Sequence, residues 1–345
     1  MSTKQYDFLV FIGRMQPPTN AHIANIKEAL ELADKVIILF GSSFQPRTIK
    51  NPWKWTERAN MVLAHLEVID HPRVIFAGVH DHRYNDQSWV QEVQQIVKRN
   101  TYSVDTPNIG IIGCKKDATS FYLDFFPQWA FVELPAIPDI NATDIRDQYF
   151  EGTLFQWRDK DLISSELKEY LRQWSQTEEY KSLVEEFNHI KAYKKAWENA
   201  PYPPTFVTGD AVIIQSGHIL LIQRRAAPGK GLWALPGGFI DQDEFIFEGV
   251  LREIQEETKL KVTPNILRGC LRGEKVFDKP NRSLRGRTIT HAFTFELAPG
   301  QLTKVKGGDD AAKAKWFLID DVLEMEEELF EDHINIISWG LNVCK

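Results

Sequence analysis

Leu235-Pro236-Gly237-Gly238, followed after five residues by Glu244 and after seven more by Arg252-Glu253-Ile254-Gln255-Glu256-Glu257-Thr258, is the stretch that decides the C-terminal half of this chain. On a helix Glu253, Glu256 and Glu257 are related by steps of three and four residues, which puts their carboxylates on one face. Like charges so crowded are destabilising unless cations compensate them, and a hard divalent ion with oxygen ligands, Mg²⁺ or Mn²⁺, suits the cluster. Val250, Leu251 and Ile254 give the rest of the helix an apolar packing face, and the Pro-Gly-Gly loop lets backbone approach the metals. Around this stretch, apolar runs at 212–214 and 219–222, a Gly/Pro-rich loop, one clear helix and several alternating strands read as an α+β unit.

These residues carry a resemblance to the Nudix box, G-x5-E-x7-R-E-U-x-E-E-x-x-U with U apolar, and residues 205–330 around it resemble Nudix domains. The resemblance implies hydrolysis of a nucleoside diphosphate linked to another group. It makes Glu253, Glu256 and Glu257, with Gly238, the metal site, and has Glu257 or Glu253 place the attacking water. Arg252 would orient the glutamates through charge-assisted hydrogen bonds. Lys259 stands where the family usually has glycine, so a different cap geometry is expected there. The stretch 276–287, with Arg282, Arg285 and Arg287, resembles the corresponding part of ADP-ribose pyrophosphatases, and three arginines so close suit phosphate or carboxylate recognition. Gly307-Gly308-Asp309-Asp310 resembles the late Nudix segment that leads into the last strand.

The N-terminal half reads differently. Apolar strand-like runs at 8–12, 36–40, 74–76 and 109–112 alternate with helical patterns at 20–33, 56–66 and 89–98. Such alternation predicts a parallel sheet covered by helices on both faces, with ligands at the carboxyl ends of the strands. The loop after the first strand is Gly13-Arg14-Met15-Gln16-Pro17-Pro18-Thr19-Asn20-Ala21-His22. Thr19 is a candidate N-cap, and the free N–H groups of the helix behind it form an anion site that His22 would face. A second element, Asn141-Ala142-Thr143-Asp144-Ile145-Arg146, places an N-cap-like Thr143 before a cation at a helix start.

Together these elements resemble the nucleotidyltransferase superfamily and, more narrowly, nicotinamide mononucleotide adenylyltransferases of archaeal type. Asn51-Pro52-Trp53 with Thr56-Glu57-Arg58, Tyr84-Asn85 with Trp89, and Gly113-Cys114-Lys115-Lys116-Asp117 extend the resemblance over residues 6–150. It implies that His22 and Arg146 stabilise the ATP phosphates, assisted by Gly13, Arg14, Thr19, Asn141 and Thr143. Trp89 would stack on nicotinamide and Asn85 contact its carboxamide. The chain departs from the family at Thr19, Ala21 and Cys114.

Composition agrees with two globular domains. The 345 residues are 43% hydrophobic and 26% charged, and 41 basic against 48 acidic residues leave a net charge of −7. That balance excludes a disordered or disulfide-built protein and argues against non-specific binding to nucleic acid. No run approaches the length of a membrane span, and three scattered cysteines suit a reducing cytoplasm. The long charged helical stretch at 166–197 ends at Ala200-Pro201-Tyr202-Pro203-Pro204, the strongest break in the chain.

The expected fold class is therefore α/β: a Rossmann-like parallel-sheet nucleotidyltransferase domain at 1–172, a helical tail and linker at 173–203, and an α+β Nudix domain at 204–345. The expected ligands are ATP, nicotinamide mononucleotide and ADP-ribose, with Mg²⁺ or Mn²⁺; no nucleic acid or membrane is expected, and an oligomer is left open. Two alternatives stand beside this reading. One is another small-molecule adenylyltransferase fused to a Nudix hydrolase of NADH or diadenosine polyphosphates. The other is a Nudix sensor or regulator.

Overall fold

The structure, a computed structural model, describes residues 4–114, 123–134, 141–156 and 163–344. The chain divides into two compact units, Met1–Val184 and Glu185–Lys345.

In the first unit the elements run β1 (Tyr6–Gly13), α1 (Asn20–Leu32), β2 (Ala33–Phe40), α2 (Trp55–Leu63), β3 (Val74–Gly78), α3 (Asp86–Thr101), β4 (Ile109–Gly113), β5 (Ala130–Glu133), α4 (Ala142–Phe150) and α5 (Ser165–Trp174). Five strands form one parallel sheet in the order β3-β2-β1-β4-β5. Side chains alternate across it. Leu9, Phe11, Val36 and Ile38 pack with Ile26 and Leu30 of α1 and Val62 of α2. Phe8, Val10, Ile37 and Leu39 pack with Val93 and Val97 of α3 on the opposite face. Strand order reverses between β1 and β4, so a crevice opens at their carboxyl ends, where the β1–α1 loop lies.

The helical stretch expected at 166–197 is two helices, α5 and then α6 (Glu178–Ala196). Short hydroxyl side chains break it. Ser175 donates to the Arg172 carbonyl at 2.6 Å, and the Thr177 hydroxyl accepts the Tyr180 N–H at 3.2 Å. Serine and threonine compete in this way with the helical ladder and start the next helix.

The second unit contains β6 (Thr205–Gln215), β7 (His218–Arg224), β8 (Trp233–Ala234), β9 (Gly237–Phe239), α7 (Ile246–Thr258), α8 (Pro264–Gly269), β10 (Leu271–Phe277), β11 (Arg287–Glu296), β12 (Ala311–Leu318), α9 (Ile319–Leu323) and α10 (His333–Val343). Its mixed sheet has the order β10-β11-β6-β7-β12, with β8 on β7 and β9 on β6. Val250, Leu251 and Ile254 of α7 cover one face through Ala211 and Ile213 of β6. Ile336 and Ile337 of α10 cover the other through Val212 and Ile214. Among the described residues no helix is long and apolar enough to cross a membrane.

Helix α7 ends on Lys259 at φ 48, ψ 32, the left-handed conformation that glycine would adopt. The expectation of a different cap is therefore corrected: the geometry is kept and lysine carries its steric cost. The helix end is held from outside, because Lys306 and Gly308 donate their N–H groups to the carbonyls of Thr258 and Glu257 at 2.8 and 3.0 Å. A Cβ on Gly308 would stand 2.5 Å from the Glu256 carbonyl, so only glycine permits this approach. Lys259→Gly is expected to raise stability by about 1 kcal/mol, read as an upward shift in urea midpoint at unchanged slope.

Candidate active sites

The first site lies at the strand ends of the parallel sheet. Arg58 of α2 is fully buried. Its guanidinium donates to the carbonyls of Arg14, Gly41 (2.9 Å) and Ser42 (3.4 Å) and to the Ser43 hydroxyl (3.2 Å). It thus ties the loop after β1 to the loop after β2 without a carboxylate in direct contact. Burial pulls its pKa down to about 10, which leaves it charged at neutral pH.

Arg146 of α4 reaches the same loop, donating to the Gln16 carbonyl at 2.6 Å and to the Thr143 hydroxyl at 3.1 Å. Its pKa is also drawn down to about 10, by burial first and then by the charge of Arg14. The ammonium of Lys50 is lowered by burial and by the charges of Arg14, Arg83 and Arg146, with Asp81 opposing. Four cations thus share a field in which each destabilises the others, and an anion with several charges would relieve them.

Thr19 caps α1 with extended backbone. His22 Nδ1 accepts the Thr19 N–H at 3.0 Å and lies 2.8 Å from the Thr19 hydroxyl. An amide only donates, so Nδ1 is unprotonated and the ring proton of neutral His22 sits on Nε2. That makes Nε2 a hydrogen-bond donor at the positive end of α1.

The second site is built on α7 and β9. Arg252 donates to Glu244 (2.7 and 3.1 Å), Glu253 (2.9 Å) and Glu256 (3.0 Å), and thereby fixes three carboxylates at once. Glu257 is buried and accepts the Gly237 N–H at 2.9 Å. Burial pushes its carboxyl up to about 8 against that hydrogen bond, and the charge of Glu253 adds to the rise. Glu253 is raised too, by burial first, with Glu256 and Asp309 contributing.

The glycine loop is placed from beneath. His333 Nδ1 accepts the Leu235 N–H at 2.9 Å, and the Thr290 hydroxyl donates to Asp210 at 2.5 Å next to it. Gly238 leaves room for the Glu253 carboxylate, since a Cβ there would stand 2.5 Å from Oε1. Oxygen donors that resist ionisation together, set against a glycine backbone, fit a hard divalent ion.

A NUDIX domain profile matches residues 205–340, and a cytidylyltransferase-like profile matches residues 10–148. The chain is 37% identical over 184 residues to a nicotinamide/nicotinic acid mononucleotide adenylyltransferase of Acinetobacter baylyi, covering 53% of this chain and 94% of that one. It is 38% identical over 132 residues to an ADP-ribose pyrophosphatase of Methanocaldococcus jannaschii, covering 38% of this chain and 70% of the relative. The crystal structure of a bifunctional NMN adenylyltransferase/ADP ribose pyrophosphatase from Francisella tularensis superposes with a TM-score of 0.91 at 37% identity, over 99% of this chain and 100% of that one. The chain belongs to this bifunctional family. A second structure of that protein, complexed with AMP and a manganese ion, superposes with a TM-score of 0.88.

Within the adenylyltransferase unit Gly13, Arg14, Thr19 and His22 lie along the end of β1, the following loop and the start of α1, and Arg146, bonded to Thr143, meets that loop at the Gln16 carbonyl. Cap assignment at α4 is corrected: Asn141, not Thr143, is the cap, its Oδ1 accepting the Thr143 N–H at 3.0 Å. The Thr143 hydroxyl serves Arg146 instead. Asn85 is likewise a helix cap, its Oδ1 accepting from the Ser88 N–H at 3.1 Å. Trp89 packs 5.8 Å from the Phe126 ring at the edge of the core. Cys114 is half-buried just beyond β4, and Lys115, Lys116 and Asp117 lie outside the described residues.

In the Nudix unit the three arginines part company. Arg282 is 2% exposed and paired with Asp332 at 2.6 Å, so of the phosphate or carboxylate partners expected for these arginines it meets an interior carboxylate. Arg287 turns to the Asp278 carbonyl. Arg285 lies over the Phe239 ring at 5.0 Å, beside β9. At the first site Lys50, Arg83 and Asp81 carry no sequence signal, and Arg58 has one in the Thr56-Glu57-Arg58 stretch.

Two outcomes follow from the carboxylate cluster. Gly238→Ala displaces only the end of a flexible side chain, so melting should scarcely change while Mn²⁺ affinity falls about tenfold in a calorimetric titration. For pH, the folded-state value of Glu257 lies near 8, above its ordinary 4.5. The folded chain therefore keeps a proton that the unfolded chain releases. Its contribution is full below about pH 4.5 and is lost as pH rises toward 8. Metal-free protein should lose thermal stability between about pH 5 and 8, and Mn²⁺ should remove that loss; a flat profile in chelator would contradict the assignment.

Proposed function

We propose that the first unit makes NAD from ATP and nicotinamide mononucleotide, and that the second hydrolyses ADP-ribose to AMP and ribose 5-phosphate. The observation that carries the reading is a likeness spanning 99% of this chain that unites the cation crevice and the carboxylate helix in one bifunctional fold. In the first reaction an oxygen of the mononucleotide 5′-phosphate bonds to the α-phosphorus of ATP, the bond to the bridging oxygen breaks, and pyrophosphate leaves with the electron pair. This chemistry needs position and charge rather than a protein nucleophile. Arg14, Lys50 and Arg146 hold the phosphates, and the His22 Nε2–H donates to oxygen where charge develops.

In the second reaction a water oxygen bonds to one phosphorus of the diphosphate and the bridging P–O bond breaks. A bound Mg²⁺ or Mn²⁺ supplies Lewis acidity and lowers the pKa of its water. Glu257 and Glu253 place the water and accept its proton, and Arg252 is a positioning residue for Glu253 and Glu256. Arg285 and Phe239 offer a cation and an exposed ring to a nucleotide beside the loop. The three cysteines are free, which suits a reducing cytoplasm.

Purified protein with ATP, Mg²⁺ and nicotinamide mononucleotide should yield NAD and pyrophosphate. His22→Ala should lower that kcat by about 10²–10³ while leaving ADP-ribose hydrolysis intact. Glu257→Gln should do the reverse, lowering hydrolysis at least about 10²-fold. Turnover of another phosphate acceptor without NAD formation would sink the first assignment, and loss of both activities in either variant would contradict two sites.

A further inference from the structure

The connection from β3 to α3 carries a group of side chains that neither reaction uses. His80 Nδ1 lies 2.7 Å from Glu92 Oε1, and His82 Nε2 lies 2.8 Å from Glu92 Oε2. The His80 N–H also reaches Glu92 Oε2, at 3.2 Å. Asp81, between the two histidines, turns the other way and accepts from the Ser42 N–H (3.0 Å) and from Gln45 (2.6 Å). One short segment thus sends its middle side chain toward the strand ends and both neighbours to a carboxylate on α3.

The donor atoms of His80, His82 and Glu92 all lie within 4.8 Å of one another. A tetrahedral ion with bonds of about 2.0–2.1 Å separates its ligands by about 3.4 Å, so small side-chain rotations suffice to close on one. Backbone and packing aim these donors. His82 holds a left-handed φ of 37, and the Asn85 N–H closes a turn on its carbonyl at 2.9 Å. The His80 ring is stacked on Phe44 at 4.3 Å.

We propose that His80, His82 and Glu92 form a binding site for a borderline divalent transition-metal ion, zinc foremost, distinct from the carboxylate site of the Nudix unit. Two imidazoles and one carboxylate favour zinc over magnesium, which demands oxygen ligands. Three protein ligands leave a fourth position for water. In the metal-free state each imidazole can donate its proton to Glu92; on binding, neutral rings shift that proton to the other nitrogen and present a lone pair to the ion. The ion would fasten the connection that carries His80 and His82 to α3, the helix capped by Asn85 and carrying Trp89 in its first turn. This site does not depend on the substrates assigned to either unit.

The test uses the full chain carrying Glu253→Gln and Glu257→Gln, which disables the other metal cluster, stripped with chelator and dialysed against zinc chloride. One zinc per chain should bind, and a large excess of Mg²⁺ should not displace it. Adding His80→Ala or His82→Ala should weaken binding by at least about tenfold. Zinc bound equally by these variants, or displaced by Mg²⁺, would overturn the proposal. Should an alanine variant fail to fold, nitrogen-15 imidazole spectra of the otherwise wild-type chain decide the matter. Zinc should move His80 Nδ1 and His82 Nε2 to metal-bound positions, and shifts confined to other histidines would refute the site.

Discussion

Charge held inside a protein without an opposite charge in contact is the constraint on which both units are organised. Arg58 is the sharpest instance. Its guanidinium is enclosed and donates to carbonyl and hydroxyl oxygens of two loops. A buried cation bonded in this way keeps its charge while stitching β1 and β2 together at their carboxyl ends. Arg14, Lys50, Arg83 and Arg146 add to the same positive field. The parallel sheet supplies the place, the α1 N-terminus supplies oriented N–H groups, and the arginines supply charge. A polyphosphate is the ligand that answers all three.

The Nudix unit solves the opposite problem. Glu257 is buried and Glu253 half-buried, the charge of Glu253 adds to the rise of Glu257, and Arg252 satisfies Glu244, Glu253 and Glu256 without a hydrogen bond to Glu257. What Glu257 has instead is the N–H of Gly237, on a loop fixed by His333 and, through β6, by Asp210. The demand for a compensating cation is therefore greatest where backbone comes closest, since Glu257 can give up its proton there only as one binds. A helix rich in glutamate is ordinarily a solvated face, and the glycine loop and the buried support below it distinguish this one.

How much of this was legible in the sequence depended on how local the interactions are. The spacing from Gly238 to Glu257 and the pair Thr19 and His22 are local, and both elements formed as read. The parallel sheet was legible because alternating strands and helices carry different periods, although β5, four residues at the sheet edge, has too little pattern to be seen. Which anion Arg282 meets was not legible, because its partner, Asp332, is fifty positions along the chain, and no local pattern distinguishes a surface arginine from a paired interior one. Lys50 and Arg83 were missed for the same reason, since their convergence is produced by the sheet. Asn141 and Thr143 were confused because either can cap a helix, and only the backbone angles separate them.

The two units thus call for ligands of opposite charge, a polyanion in the first and a cation in the second. Calorimetric titration of the metal-free chain with inorganic tripolyphosphate tests this most directly. One saturable site is predicted, weakened by added salt, abolished by Arg146→Gln and retained in Glu257→Gln. Absence of saturable binding, or binding that survives Arg146→Gln and is lost in Glu257→Gln, would contradict it.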